Sequence, residues 1–133
     1  MDKTGTLYLM PAALGSGDVA AVLAGATLRV LPTLTSFIVE NPKTARQFLK
    51  LAGYPRPLQG IEFRTLDQHT ADAQLPELLA PLLAGRDCGL LSEAGCPAVA
   101  DPGAALVRLA HAHGIRVVPL VGPSAVLLAL MAS

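Results

Sequence analysis

The hydrophobic period of this chain switches repeatedly between that of a strand and that of a helix, and this alternation restricts the fold more than any other feature. Short apolar runs at Thr6 to Met10, Leu28 to Leu31, Ser36 to Glu40, Cys88 to Leu91 and Ile115 to Val121 read as strands, and Leu58 to Leu66 contains another. Helical patterns separate them. Val19 to Ala24 has Asp18 as a cap and Gly25 as a stop, and Pro42 to Leu51 ends at Gly53. Thr70 to Leu83 places Leu75, Leu78, Leu79, Leu82 and Leu83 at helical spacing, with Pro81 expected to kink the last turn or start a new one. Ala104 to His113 stops at Gly114, and a final helix begins at Gly122-Pro123-Ser124. Strands alternating with helices imply βαβ units. The fold expected is α/β, a mainly parallel sheet of about five strands with helices on both faces. Glu62 and Arg64 alternate with apolar residues, which places their strand at a sheet edge with one wet face.

A chain of 133 residues is expected to form one domain. Its residues are 52% hydrophobic and only 15% charged, which predicts a flank that meets a partner surface, such as a second copy in a dimer. The last residues, Leu127 to Ser133, continue an apolar helical pattern without a C-cap signal, so the chain reads as a fragment of a longer protein. Net charge is zero and there is no basic block, so the segment on its own carries no nucleic-acid footprint in its sequence. No apolar run reaches the ~18 residues of a membrane span. Cys88 and Cys96 occur without a secretory signal, which predicts unbridged thiols and a cytoplasmic location. His111 and His113 point to different helix faces and His69 stands alone, so no metal site is expected.

Between the Cys88 strand and the Ala104 helix lies Ser92-Glu93-Ala94-Gly95-Cys96-Pro97-Ala98-Val99-Ala100-Asp101-Pro102-Gly103, dominated by small residues, Gly and Pro. Asp101 and Pro102 suit the start of the helix that follows. Such a loop has little to pack a core with, and it lets backbone approach a ligand. Pro11 to Gly17 and Val121 to Ala125 are also small-residue loops at strand ends. In a parallel sheet the three gather at the carboxyl edge, where open α/β sheets bind ligands. Helix amides following the last two suit a carboxylate or another oxygen-rich ligand. From the residues alone, a cofactor cradle and three ordinary βα loops both fit.

Five segments carry a more specific likeness: Gly5 to Pro11, Val39-Glu40-Asn41, Leu66-Asp67-Gln68-His69, Ser92 to Gly103, and Gly114 to Ala125. With them the chain resembles the tetrapyrrole methylase family of S-adenosylmethionine-dependent methyltransferases, and in particular its branch acting on ribosomal RNA. The likeness runs in order through nearly the whole chain. It implies a two-domain enzyme, usually a homodimer, with S-adenosylmethionine held in the cleft between domains. This chain would then be the N-terminal α/β domain, inactive without its C-terminal half. By the family pattern, Ala94, Gly95, Cys96 and Val99 would line the methionine and ribose end of the cofactor. Ser124 and Ala125 would continue the pocket, and Leu14 would close it.

Three departures from the pattern stand out. Asn41-Pro42 follows Glu40 where the RNA-modifying branch has Asp-Thr-Arg, Glu93 replaces Asp, and Cys96 replaces Thr. The first falls on the substrate side and bears on the RNA more than on the cofactor. If the methyl acceptor is a ribose hydroxyl, a base would help remove its proton, and Glu93 and Glu40 are the candidates by location. Cys96 has no His or Lys beside it in sequence, so it reads as pocket wall rather than as a nucleophile. Three functions follow: methylation of ribosomal RNA at a ribose 2′-hydroxyl, methylation of a small molecule such as a corrin or porphyrin precursor, or a non-catalytic assembly role.

Overall fold

The computed structural model describes residues 3–10, 29–55, 57–67, 69–91 and 103–120. Five strands form one sheet: β1 (Thr6–Met10), β2 (Ser36–Val39), β3 (Glu62–Thr65), β4 (Cys88–Leu91) and β5 (Arg116–Pro119). All pairings are parallel and the order is β3-β2-β4-β1-β5. Four helices are described: α1 (Pro42–Leu51), α2 (Leu75–Leu78), α3 (Ala80–Leu83) and α4 (Gly103–Ala112). The Val19 to Ala24 helix and the helix from Gly122 lie outside the described residues.

Strand order explains why the core has two halves. The connections β1 to β2 and β2 to β3 run one way across the sheet, while β3 to β4 and β4 to β5 run back. Right-handed crossovers therefore place α1 on one face and α2, α3 and α4 on the other. Side chains alternate along each strand to match. Leu7, Leu9, Ile38, Cys88 and Leu90 pack with Leu75, Leu78, Leu79 and Leu82 and with Leu106, Val107 and Ala110 of α4. Met10, Phe37, Val39 and Leu91 pack with Ala45, Phe48 and Leu49 of α1. The expected α/β sheet covered on both faces is the one observed. The strand with Glu62 and Arg64 lies at the β3 edge, where these two side chains form an ion pair at 3.3 Å.

Helix ends follow the chemistry of their sequences. Asn41 opens α1 by accepting the Lys43 amide on its side chain at 2.9 Å, and Pro42 sits at the start, where no amide is needed. Asn41→Ala is expected to cost about 1 kcal/mol, the ordinary worth of such a cap. Urea titration of the two proteins checks this, and a change under ~0.3 kcal/mol would refute the assignment. After α1 and α4, Gly53 and Gly114 take φ of 81° and 72°. The next amides, Tyr54 and Ile115, donate back to Leu49 and Ala110 at 3.0 and 2.9 Å. This is the six-to-one closure that favours glycine.

Two expectations change. Leu28 to Leu31 is not a strand where the structure describes it. Arg29 and Val30 are helical and Leu31–Thr33 form a 3-10 turn. Pro32 supplies no amide for a sheet ladder, and the Thr33 hydroxyl donates to the Val30 carbonyl at 2.6 Å. Leu31 and Leu34 are buried against the α1 side, so the apolar run serves the core without joining the sheet. The helix foreseen from Thr70 begins later. Asp72–Gln74 form a 3-10 turn before α2, and a break at Leu79 separates α2 from α3. Pro76 and Pro81 each stand near the start of a short helix, the place proline tolerates, so the pattern splits as Pro81 foretold.

Candidate functional site

Because every strand runs the same way, all carboxyl ends lie at one edge of the sheet. There β4, β1 and β5 are consecutive neighbours, with Met10 opposite Leu91 and Leu9 opposite Pro119. The Leu120 amide donates to the Leu9 carbonyl at 3.0 Å and carries the β5 ladder one residue further. Neighbouring strands are ~4.8 Å apart, so the three exits lie within about 10 Å of one another. Met10, Leu91 and Leu120 are buried in the same core half, which gives this edge an apolar floor. The chain leaving β1 and β4 goes in opposite directions across the sheet, one toward β2 and the other toward β5. Because the crossovers are right-handed, these two connections leave to opposite faces of the sheet, and adjacent strands whose connections part between the faces make a switch point, the crevice where ligands of open α/β sheets bind.

On the other side of β4, the edge continues with polar residues. Glu40 follows β2 and is exposed, and among the described residues its carboxylate has no hydrogen-bond or ion-pair partner. Beyond β3, Asp67 Oδ1 accepts the His69 amide at 2.8 Å, and the Asp67 amide donates to Thr70 Oγ1 at 3.0 Å. This turn leaves the His69 side chain exposed at the same edge.

Curated proteins match this chain along nearly all of its length. The chain is 37% identical over its full length to ribosomal RNA small subunit methyltransferase I of Xylella fastidiosa (strain Temecula1), matching 46% of that protein. The corresponding protein of Mesorhizobium japonicum is 40% identical over 96% of the chain, with 40% of the relative covered. That of Escherichia coli O157:H7 is 36% identical over 99% of the chain, with 43% covered. Curated relatives that match the whole chain at 33–40% identity are named ribosomal RNA small subunit methyltransferase I, a group of the tetrapyrrole methylase family. The chain spans less than half the length of these curated relatives. No family model matches it.

Leu14, Glu93, Ala94, Gly95, Cys96, Val99, Ser124 and Ala125 all lie outside the described residues. The structure describes the strand ends that lead to them: Met10 before Leu14, Leu91 before Glu93 to Val99, and Leu120 before Ser124 and Ala125. Glu40 is on the same edge, separated from the β1 exit by β4. Asn41, one of the departures from the methylase pattern, caps α1. Asp and Asn cap helices about equally well, so an Asp at this position would cap α1 in the same way.

Among the described residues, no group of three or more His, Cys, Asp or Glu could hold a metal ion. None of the helices described is long and apolar enough to cross a membrane. Cys88 is a free, buried thiol at the opposite end of its strand from the site. Its Sγ donates to Ser36 Oγ at 3.4 Å, and Ser36 Oγ donates to Glu62 Oε1 at 3.2 Å. Burial raises its pKa above the ordinary 9.0, against the lowering effects of Ser36 and Arg86. The folded protein thus holds a proton that the unfolded chain releases. The resulting stability is complete below the unfolded value and is lost as pH rises through the folded one. Cys88→Ala is expected to flatten the loss of stability above about pH 9. Melting curves of both proteins across that range check it, and parallel curves would refute it.

The sequence reading found no basic footprint and so passed over the cations of α1. Lys43, Arg46 and Lys50 are at helical spacing i, i+3 and i+7, and all three are exposed. A net-charge reading averages them against acids elsewhere. A helical-face reading of the same residues would have brought them together.

Proposed function

We propose that the intact protein transfers a methyl group from S-adenosylmethionine to small-subunit ribosomal RNA, with a ribose 2′-hydroxyl as the acceptor. This chain would supply the N-terminal α/β domain of a two-domain, homodimeric enzyme. The observation that carries the reading is the likeness along the whole chain to proteins that share one name, ribosomal RNA small subunit methyltransferase I.

Bound S-adenosylmethionine would supply a methyl group already activated for in-line displacement. The residues of this chain would bind and orient. Ala94, Gly95, Cys96 and Val99 would line the methionine and ribose end, with Ser124 and Ala125 continuing the wall and Leu14 closing it. Their fit is supported by the adjacency of the three strand exits and by the apolar floor of Met10, Leu91 and Leu120. Small side chains there let backbone amides approach the ligand. Positioning of this kind is worth on the order of 7–11 kcal/mol in well-held reactants. Glu93 or Glu40 would take the proton of the acceptor hydroxyl.

Calorimetry with S-adenosylhomocysteine and the intact gene product tests the reading. Binding at micromolar affinity, about −8 kcal/mol, is expected. No binding would mean that the fold has been kept for another purpose.

A further inference from the structure

We propose that the exposed face of α1 is an RNA-binding surface that grips the phosphate backbone of the substrate through Lys43, Arg46 and Lys50. The inference rests on the RNA methyltransferase reading for the kind of nucleic acid, and it names a surface that reading does not contain.

The charge distribution comes first. The chain as a whole is neutral, with ten basic and ten acidic residues. Between Glu40 and Glu62, however, it holds Lys43, Arg46, Lys50 and Arg56 and no acid at all. Three of these four fall on α1. Its other face, with Ala45, Phe48 and Leu49, is buried in the core. Residues three and four apart on a helix are neighbours, so Lys43, Arg46, Gln47 and Lys50 form one continuous polar stripe. The stripe runs about 10 Å along the helix axis.

A solvated helix face usually mixes signs, and i to i+4 pairs of opposite charge stabilise it. Here no such pair exists. Among the described residues, Lys43, Arg46 and Lys50 have no carboxylate partner. Lys50 lies in the last turn, where the helix dipole welcomes a cation, but Lys43 lies in the first turn, where the dipole opposes it. That first turn contains no acid. Lys43 is therefore at a place that helix stability alone would not choose. Arg46 sits over the Phe63 ring, 5.2 Å from its centroid. The ring holds the guanidinium in position without neutralising it, which leaves its charge for a ligand.

Location supplies the second argument. α1 starts at the carboxyl edge of the sheet, directly after Glu40, and β2 is the neighbour of β4, whose exit leads into the candidate cofactor loop. Lys43 is at that edge and Lys50 is further from it. A strand of RNA crossing α1 would thus arrive at the edge where the methyl group is expected. Exposed cations in a row, with no carboxylate partner among the described residues, suit phosphates, and a contact to each phosphate releases counterions.

The test uses the intact protein, purified small-subunit ribosomal RNA free of protein, and the variant Lys43→Gln/Arg46→Gln/Lys50→Gln. Affinity is measured over a range of salt. The expected result is a fall in affinity of roughly tenfold or more at low salt, and a dependence of log K on log salt flatter by about 2 to 3. S-adenosylhomocysteine affinity and melting temperature should stay as in the parent. Arg86→Gln/Arg116→Gln, which removes two exposed cations near the opposite edge of the sheet, should leave the salt dependence nearly unchanged. An unchanged slope in the triple variant would overturn the proposal, as would an equal change in the double variant. Weakened binding to whole ribosomal subunits with unchanged binding to bare RNA would also overturn it, by making α1 a protein-docking face. If the parent fails to bind S-adenosylhomocysteine while the triple variant still loses RNA affinity, the methyltransferase reading fails and the RNA surface stands.

Discussion

Gly5→Ala is expected to destabilise the protein by at least about 3 kcal/mol. A Cβ on Gly5 would collide with the Arg86 carbonyl oxygen and lie 2.9 Å from the Asp87 nitrogen. Both are backbone atoms, so no rotamer change relieves the contact. The segments before β1 and β4 would have to separate. That separation breaks two hydrogen bonds that bring the segments together: Gly5 N to the Leu82 carbonyl and Thr6 N to Asp87 Oδ1, each 2.7 Å. A neutral bond of this kind is worth about 1 kcal/mol and a bond to a carboxylate about 1.5–3 kcal/mol. Gly60→Ala is the control, because a Cβ there meets nothing within 4 Å. It should change stability by less than ~0.5 kcal/mol. Denaturant midpoints of the two variants measure the difference, and a Gly5→Ala loss below ~1 kcal/mol would show that the two segments are not held this closely.

Phe37→Ala is expected to cost about 3–5 kcal/mol, the usual range for an aromatic side chain removed from a core. Phe37 is fully buried at the centre of β2. Its ring stacks on Phe63 at 6.2 Å and meets Tyr54 edge-on at 6.5 Å. Its partner across the ladder is Gly89 of β4, and a Cβ on Gly89 would come within 2.9 Å of the Phe37 ring and 3.0 Å of Met10 Sδ. The large residue occupies the space that the small one leaves. This pairing makes a second, sharper expectation. Gly89→Ala should destabilise the parent, because the ring has to move, and should cost much less in the Phe37→Ala background. A double-mutant cycle reads the coupling, expected at about 1 kcal/mol or more for residues in direct contact. Additive losses would mean that the ring finds room elsewhere.

Much of this architecture is written in local pattern. The strand and helix periods, the edge character of Glu62 and Arg64, the stops at Gly53 and Gly114 and the division of the Thr70 to Leu83 pattern by Pro81 all depend on residues within a few positions of one another. Motif likeness went further and pointed to the methylase family, and the curated relatives similar along the whole chain are methyltransferases by name. The Leu28 to Leu31 run misled because apolar content says that a segment is buried and does not say in what form. Pro32 and the Thr33 hydroxyl decide the form, and they favour a turn.

Sequence by itself determined that strands and helices alternate, where most of them stop, and which small-residue loops follow strand ends. Tertiary structure alone decided that β4, β1 and β5 are neighbours, so that those loops leave from one place. It also decided that Gly5 must be small for Arg86 and that Gly89 must be small for Phe37. The reason is range. Thr6 and Asp87 are 81 positions apart and Cys88 and Ser36 are 52, and such contacts exist only after the sheet has chosen its order. Strand order comes from non-local packing, which no window along the chain contains.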